Sequence, residues 1–552
     1  MREIEIVLLL LAVITALAQL TDKIKIPYPI LLVLAGIGIG LIPGLPVVEL
    51  HPEVVFLLFL PPLLYAAAWN TSWPDFKAAK RPIILLATGC VLFTTTAVAM
   101  VAHYFIPGFD WPTAFLLGAI ISPPDAVAAT SATQGLGVPR RVITVLEGES
   151  LVNDATGLIA YRYAIAAIAT GNFVLWQASL QFLLVAGAGI GIGLAVGWIL
   201  VRIHKITPDN PVIDTSLTFL TPFVSYLLAE ELHVSGVLAV VTTGLFLSVR
   251  SSEIFTHQSR LQTLATWETV VFLLNGVVFI LIGLQLPNVL KGISEYSFAT
   301  LIGYGALVSA AVIIGRIIWV YPGAFIPRWI SPSIRQREPG TSWRTVTIVA
   351  WTGMRGVVSL AAALAIPLAL PNGSAFPHRD LILFLTFSVI LSTLVLQGLS
   401  LPALIRWLGI KPDGSLYQEE LRVRLRVATE AINYIEENLS FGVVTDEVLA
   451  QIKNKYEIRV SRLMQQAGYT TGVRLDETSI RQFHQLQYDL ITLERAQVIG
   501  LRKEGKIADE VLRRMEHELD LEEARVRLEM EDPARESKTV LPVSSPQIQP
   551  AE

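Results

Sequence analysis

The chain has 552 residues, of which 53% are hydrophobic and only 16% charged, and a mean hydropathy of +0.57. A soluble domain averages about 25% charged residues, so this composition excludes a soluble globular protein and defines an integral membrane one. The formal net charge of −4 argues against a nucleic-acid partner; the single cysteine, Cys90, excludes an intrachain disulfide and reads as an inert packed thiol.

Spans of about 20 apolar residues are expected at thirteen places: 4–20, 28–44, 53–69, 82–105, 112–131, 142–170, 178–201, 211–229, 234–249, 268–286, 298–325, 345–371 and 380–406. The N-terminal Met1-Arg-Glu-Ile-Glu has neither a basic n-region nor a small-residue cleavage site, so the first run reads as a retained span. The links alternate in charge. One side carries Lys23, Lys25, Lys77, Lys80, Arg81, Arg140, Arg141, Arg202, Lys205, Arg250, Arg260, Arg328, Arg335, Arg337 and Arg344; the other carries Arg2, Lys291 and Arg379. The positive-inside rule then puts the N-terminus outside and the tail in the cytoplasm.

Two spans are interrupted. The fifth contains Ile121-Ser-Pro-Pro-Asp125, and neither Pro123 nor Pro124 can donate a helical hydrogen bond. The twelfth contains Trp351-Thr-Gly-Met-Arg-Gly-Val357, where two glycines loosen the helix around Arg355. Non-helical backbone at membrane depth is tolerated only where it is buried in protein or lines a cavity. Five and twelve differ by seven, so spans 1–6 and 8–13 read as two inverted six-helix repeats with their breaks in matching positions, a pointer to the substrate site of a secondary transporter. The expected fold is therefore all-α and polytopic. It has a membrane domain over 1–410, a helical tail over 411–531 and a disordered C-terminus over 532–552. Tail helices are expected at 418–439, 445–467, 477–502 and 507–530, the last with an apolar stripe of Val511, Leu512, Met515, Leu519 and Leu521.

The sixth span carries Glu147-Gly-Glu-Ser-Leu-Val-Asn-Asp154. Ionisable groups at bilayer depth are costly and by default mark an ion or proton pathway. On a helix, Glu147, Ser150 and Asp154 share one face. Glu149 and Asn153 share another, with Glu149 about 140° from Asp154 at 100° per residue. Their carboxylate, hydroxyl and amide oxygens, with carbonyls freed in span 5, suit a hard cation. A carboxylate in low dielectric favours its protonated form, so one site could hold a cation or a proton but not both, which is the minimal chemistry of exchange. The competing reading is a structural network of these acids with Arg162, Arg316 or Arg355. Asn275, in mid-span 10, reads as an interhelical hydrogen-bonding residue.

Glu149-Ser-Leu-Val-Asn-Asp154, Pro123-Pro-Asp-Ala-Val-Ala128, Val234-Ser-Gly-Val-Leu-Ala-Val-Val-Thr-Thr-Gly-Leu245 and Gly353-Met-Arg-Gly-Val-Val-Ser-Leu360 together resemble signature segments of the monovalent cation:proton antiporter family. The resemblance implies a six-helix core crossed by two unwound helices, a separate dimerisation domain and a homodimer. It implies exchange of Na+ (or Li+ or K+) for H+ at Asp154, with Asn153 holding the site, electroneutral and one-for-one. It further implies Glu149, Ser150, Asp125 and the backbone at Pro124 as ligands or supports, with Na+ at Asp154, Glu149 and Ser150. Arg355 would stabilise the core as a partner for Glu149; Arg316, read from its own segment, either stabilises the core or snorkels to an interface. No cofactor is implied, and the tail's similarity to bacterial members implies an inner membrane.

Sodium against potassium stays open, because both ions use oxygen cages. A channel or a sensor is a further alternative. The absence of His-Glu-x-x-His, Gly-x-Ser-x-Gly and P-loop motifs argues against a membrane enzyme and against a nucleotide-driven pump.

Overall fold

The computed structural model describes residues 2–24, 27–42, 55–133, 136–171, 175–207, 210–293, 296–338, 341–370, 373–410, 415–438, 446–466, 477–504 and 509–530. The chain forms two compact units, Met1–Lys411 and Pro412–Glu552.

Among the described residues a helix stands at each predicted span. These are α1 (Arg2–Ile24), α2 (Tyr28–Gly40), α3 (Phe56–Asn70), α4 (Lys80–Phe105), α5a (Trp111–Ile121), α5b (Ala126–Thr133), α6 (Arg140–Thr170), α7 (Leu175–Ile206) and α8 (Pro211–Glu231). They continue with α9 (Gly236–Ile254), α10 (His257–Leu284), α11 (Phe298–Ile330), α12a (Trp343–Trp351), α12b (Val357–Leu364) and α13 (Arg379–Leu408). Among the described residues, eight helical stretches, one of them α5a and α5b taken together, are long and apolar enough to cross a membrane.

Local chemistry sets the ends. Asp110, Asn210, Ser235, Thr256, Ser297 and Ser342 cap the starts of α5a, α8, α9, α10, α11 and α12a by accepting from backbone N–H groups. Left-handed Gly171 and Gly409 close α6 and α13. α10 begins at His257, well before the expected 268, because the Thr256 cap recruits a polar turn that hydropathy alone does not see.

Large apolar side chains line the outside of this unit as well as its inside. Leu183, Leu184, Trp198, Leu220, Ile314 and Ile318 are exposed, the pattern of a lipid-facing wall.

The helix pairings carry a hidden two-fold relation. α3 packs on α9 as α10 packs on α2, and α1 on α10 as α8 on α3. α4 packs on α6 as α11 on α13, while the α4–α11 pair maps onto itself. Each match shifts the helix number by seven, the offset expected from the two breaks. The polar contacts also sort by end. Arg140 meets Asp75, Arg81 meets Glu338 and Lys205 meets Glu253 at one set of ends, whereas Arg162 meets Glu230 at the other. Every one of these groupings agrees with the alternation of the links.

In the second unit, α14 (Ser415–Asn438) packs on α15 (Asp446–Gln466) through Leu421, Ala428 and Leu463. α16 (Glu477–Lys503) packs on α17 (Asp509–Met530) through Ile491, Leu519 and Val526, with Arg495 bridging Asp520 and Glu523. The expected α17 stripe is thereby corrected. Leu519 is buried, but Val511, Met515 and Leu521 are exposed, and Val526 takes their place because the helix turns that face toward α16. The expected disordered segment from 532 lies outside the described residues.

Candidate functional site

The two interrupted helices cross. The Asp125 N–H donates to the Met354 carbonyl at 2.7 Å, so the breaks lie against each other. Each break leaves one helix C-terminus and one helix N-terminus inside the protein, where each end carries about half a charge. The crossing supplies a counter-charge of each sign. The Asp125 carboxylate accepts from Val127 N at 2.8 Å, and the Ala128 and Val357 N–H groups also face it, so it serves the N-termini of both α5b and α12b. Arg355, 1% exposed, donates to the carbonyls of Ile121 (2.9 Å), Ser122 (3.2 Å) and Gly353, the C-terminal ends of α5a and α12a. Its own N–H is held by Thr393 Oγ1 at 3.1 Å. Gly356 is required here by space: a Cβ at this position would sit 1.8 Å from Asp125 Oδ2.

α6 lies along the first break. Ser150 Oγ accepts from Ala126 N at 3.3 Å, and Asn153 Nδ2 donates to the Pro124 carbonyl at 2.7 Å. A Cβ on Gly157 would meet the Pro123 ring at 2.3 Å. Residues 150, 153 and 157 thus form one helical stripe against the break, and Asp154 belongs to that stripe. Asp154 is buried, 6% exposed. Among the described residues no hydrogen bond or ion pair reaches it, and the charged group within its electrostatic reach is the like-signed Asp125. Asn153 Oδ1 is also buried with no hydrogen-bond partner among the described residues.

Glu149 points elsewhere. Its two oxygens accept from Arg316 Nη1 at 2.6 Å and Nη2 at 2.8 Å, and both side chains are 1% exposed. Arg316 Nε also donates to the Val349 carbonyl at 3.2 Å, tying α6 to α11 and α12a. The expected Glu149–Arg355 pair is therefore corrected: Arg355 is consumed by helix-end carbonyls, and Arg316 is the partner. Each Glu149 oxygen thus carries one charge-assisted bond to Arg316. Helix geometry had already turned Glu149 about 140° from Asp154.

Sequence reasoning missed the hydroxyls that support the crossing. Thr95 donates to Ser122 at 2.9 Å, and Thr393 backs Arg355. It also missed Gln397, whose amide nitrogen and oxygen are both buried without a hydrogen-bond partner among the described residues. The available signal was polar residues in mid-span. Asn275 is buried on α10, close enough to Tyr28 of α2 to interact with it electrostatically. Among the described residues no group of three or more His, Cys, Asp or Glu side chains gathers as in a multidentate metal site.

Two broken helices crossing beside a buried, unpaired carboxylate in an all-helical membrane domain define the architecture of a monovalent cation:proton antiporter. The family described as "Sodium/hydrogen exchanger, transmembrane" matches residues 7–407. The chain belongs to that sodium/hydrogen exchanger family. It is 32% identical over 511 residues to the sodium, potassium, lithium and rubidium/H+ antiporter of Bacillus pumilus, covering 89% of this chain and 74% of that one. It is 34% identical over 405 residues to the Na+/H+ antiporter ApNhaP of Aphanothece halophytica, covering 72% and 73%. The solved sodium proton antiporter MjNhaP1 of Methanocaldococcus jannaschii shares the fold, with a TM-score of 0.57 at 20% identity, over 74% of this chain and 99% of that one.

Proposed function

We propose that this chain exchanges Na+ for H+ at Asp154 by alternating access, one for one and without net charge movement. One observation carries the reading. Every other buried charge at the crossing has its match: Glu149 with Arg316, Asp125 with two helix N-termini, Arg355 with helix C-terminal carbonyls. Asp154 has no match among the described residues. Leaving a charge buried without a partner is strongly unfavourable, so its counter-charge comes from outside the chain, as a proton or a cation. Asp154, Ser150 Oγ, Asn153 Oδ1 and carbonyls near Pro124 would hold the cation. Asp125 would act as the anchor of two helix ends, and Glu149–Arg316 as a brace. The loaded site is neutral with either ion and can cross the apolar barrier; the empty ionised site crosses poorly, which couples the two fluxes.

The printed names of relatives include potassium, lithium and rubidium as well as sodium, so K+/H+ exchange is the second reading. The proposed setting is thirteen spans in two inverted repeats in a bacterial inner membrane. The N-terminus would lie outside and the tail in the cytoplasm, in a homodimer that uses no cofactor or nucleotide.

The test is collapse of an imposed pH gradient in proteoliposomes by Na+, K+ or Li+ from about pH 6 to 9, for the wild type and Asp154→Asn. Collapse by one cation, abolished by Asp154→Asn in folded protein, is the expected result. Wild-type silence with every ion, or passive cation conductance without proton movement, would reject exchange in favour of a channel or sensor.

A further inference from the structure

At the ends of α4, α6, α11 and α12a, on the side opposite the Arg162–Glu230 pair, the structure holds a cavity of about 110 Å³. Its floor is apolar, with Leu86, Val142, Val145 and Val320 among its lining, and its rim is Arg81, Arg141 and Glu338. Two guanidinium groups face the single carboxylate, and a third holds the backbone beside it. Arg81 Nη1 contacts both oxygens of Glu338 at 2.8 Å, and Arg141 Nη2 lies 4.0 Å from one of them. Arg328 donates to the Glu338 and Thr341 carbonyls at 2.9 Å. Two arginines against one glutamate leave the rim with one more positive than negative charge, and Arg141 and Arg81 remain about one-third exposed. Trp329 and Trp343 are exposed nearby on α11 and α12a, and exposed tryptophans at helix ends mark headgroup depth.

We infer that this cavity is a binding site for an anionic phospholipid of the cytoplasmic leaflet. Its phosphate lies at the Arg141–Arg81 rim and the upper methylenes of one acyl chain enter the apolar floor. Basic pockets between helix ends on the cytoplasmic side suit such headgroups. An apolar floor beneath a net-positive rim at the headgroup level complements an amphiphile better than a free anion. The site shares no residue with the proposed ion site. Its cytoplasmic placement rests on the orientation proposed above, but its occupancy does not depend on ion exchange.

The experiment is native mass spectrometry of the full chain in mild detergent. Phosphatidylglycerol and phosphatidylcholine of identical acyl chains are offered, with and without millimolar inorganic phosphate. The wild type should retain phosphatidylglycerol selectively. Arg141→Gln should lower retention about five-fold, the factor that one basic residue at a membrane surface is worth. Ala324→Phe, which fills the cavity, should lower it comparably. Arg344→Gln, an exposed arginine outside the lining, should leave it unchanged, and phosphate should not compete. Equal retention of both lipids, or retention untouched by Arg141→Gln and Ala324→Phe in folded protein, would overturn the inference. Displacement of phosphatidylglycerol by phosphate, with Ala324→Phe still binding, would assign the rim to a free anion and overturn it as well. Retention is read without any ion gradient, so its failure and a failure of antiport are separate results.

Discussion

Breaking the Glu149–Arg316 pair tests whether Glu149 is a brace or a ligand. The pair is bidentate at 2.6 and 2.8 Å, with both side chains 1% exposed. Removing one partner leaves a buried charge uncompensated, at a cost of about 3–5 kcal/mol. Replacing both with apolar groups of similar volume is often neutral or better. Arg316→Met and Glu149→Met should therefore each lower the apparent unfolding temperature on the order of 10 °C. The double variant should recover most of that loss, less about 1 kcal/mol for the lost donor to Val349. Thermal unfolding of the purified chain in detergent reads all four corners of the cycle. A double variant whose loss equals the sum of the two single losses would refute the pairing. Transport supplies the second readout. If Glu149 only braces, the double variant keeps cation-dependent proton movement within about ten-fold, whereas a well-folded but silent double variant returns Glu149 to the ion site.

Other perturbations follow from the same geometry. Gly356→Ala places a Cβ 1.8 Å from Asp125 Oδ2; transport should fall by at least about 100-fold, since a shift of about 1 Å at a positioned site costs that much, and normal rates in vesicles would show that the crossing relaxes freely. Asn153→Ala removes the 2.7 Å bond to the Pro124 carbonyl and should raise the half-saturating cation concentration about ten-fold, for a loss of about 1–3 kcal/mol; an unchanged concentration dependence would remove Asn153 from the site. Truncation after Lys411, at the boundary between the two compact units, should leave a folded membrane unit whose pH or ion response is shifted; an unchanged response and an unchanged oligomeric state would remove a regulatory role for the tail.

What the sequence disclosed was whatever depends on local pattern. Apolar runs, caps such as Asp110 and Asn210, and the Pro123-Pro124 and Gly353–Gly356 interruptions are properties of short segments, and the helices and breaks stand where those segments place them. Asp154, Asn153 and Ser150 were legible because polar groups in an apolar run have few explanations. Partner choice was not legible. Glu149 finds Arg316, 167 positions away, and Arg81 finds Glu338 across 257; nothing in either segment says which arginine arrives. The α17 stripe was misread for a related reason. A short amphipathic helix offers more than one apolar face, and packing against α16 selects Leu519 and Val526.

The two breaks, Ser122-Pro-Pro-Asp125 and Gly353-Met-Arg-Gly356, differ in sequence, and the crossing gives a physical reason. If each repeat had to neutralise its own broken helix, each would carry an acid at its N-terminal half-helix and a base at its C-terminal one, and the two motifs would look alike. Instead the labour is divided. The first repeat contributes Asp125, which serves the N-termini of α5b and α12b; the second contributes Arg355, which serves the C-termini of α5a and α12a. One acid and one base thus satisfy four helix ends of about half a charge each, and Gly356 is left without a side chain because Asp125 occupies that space. Sharing charges this way makes the two breaks differ in sequence while the helix pairings stay related. It also leaves the crossing close to neutral by itself, so under the proposed function the counter-charge of Asp154 would have to come from outside the crossing.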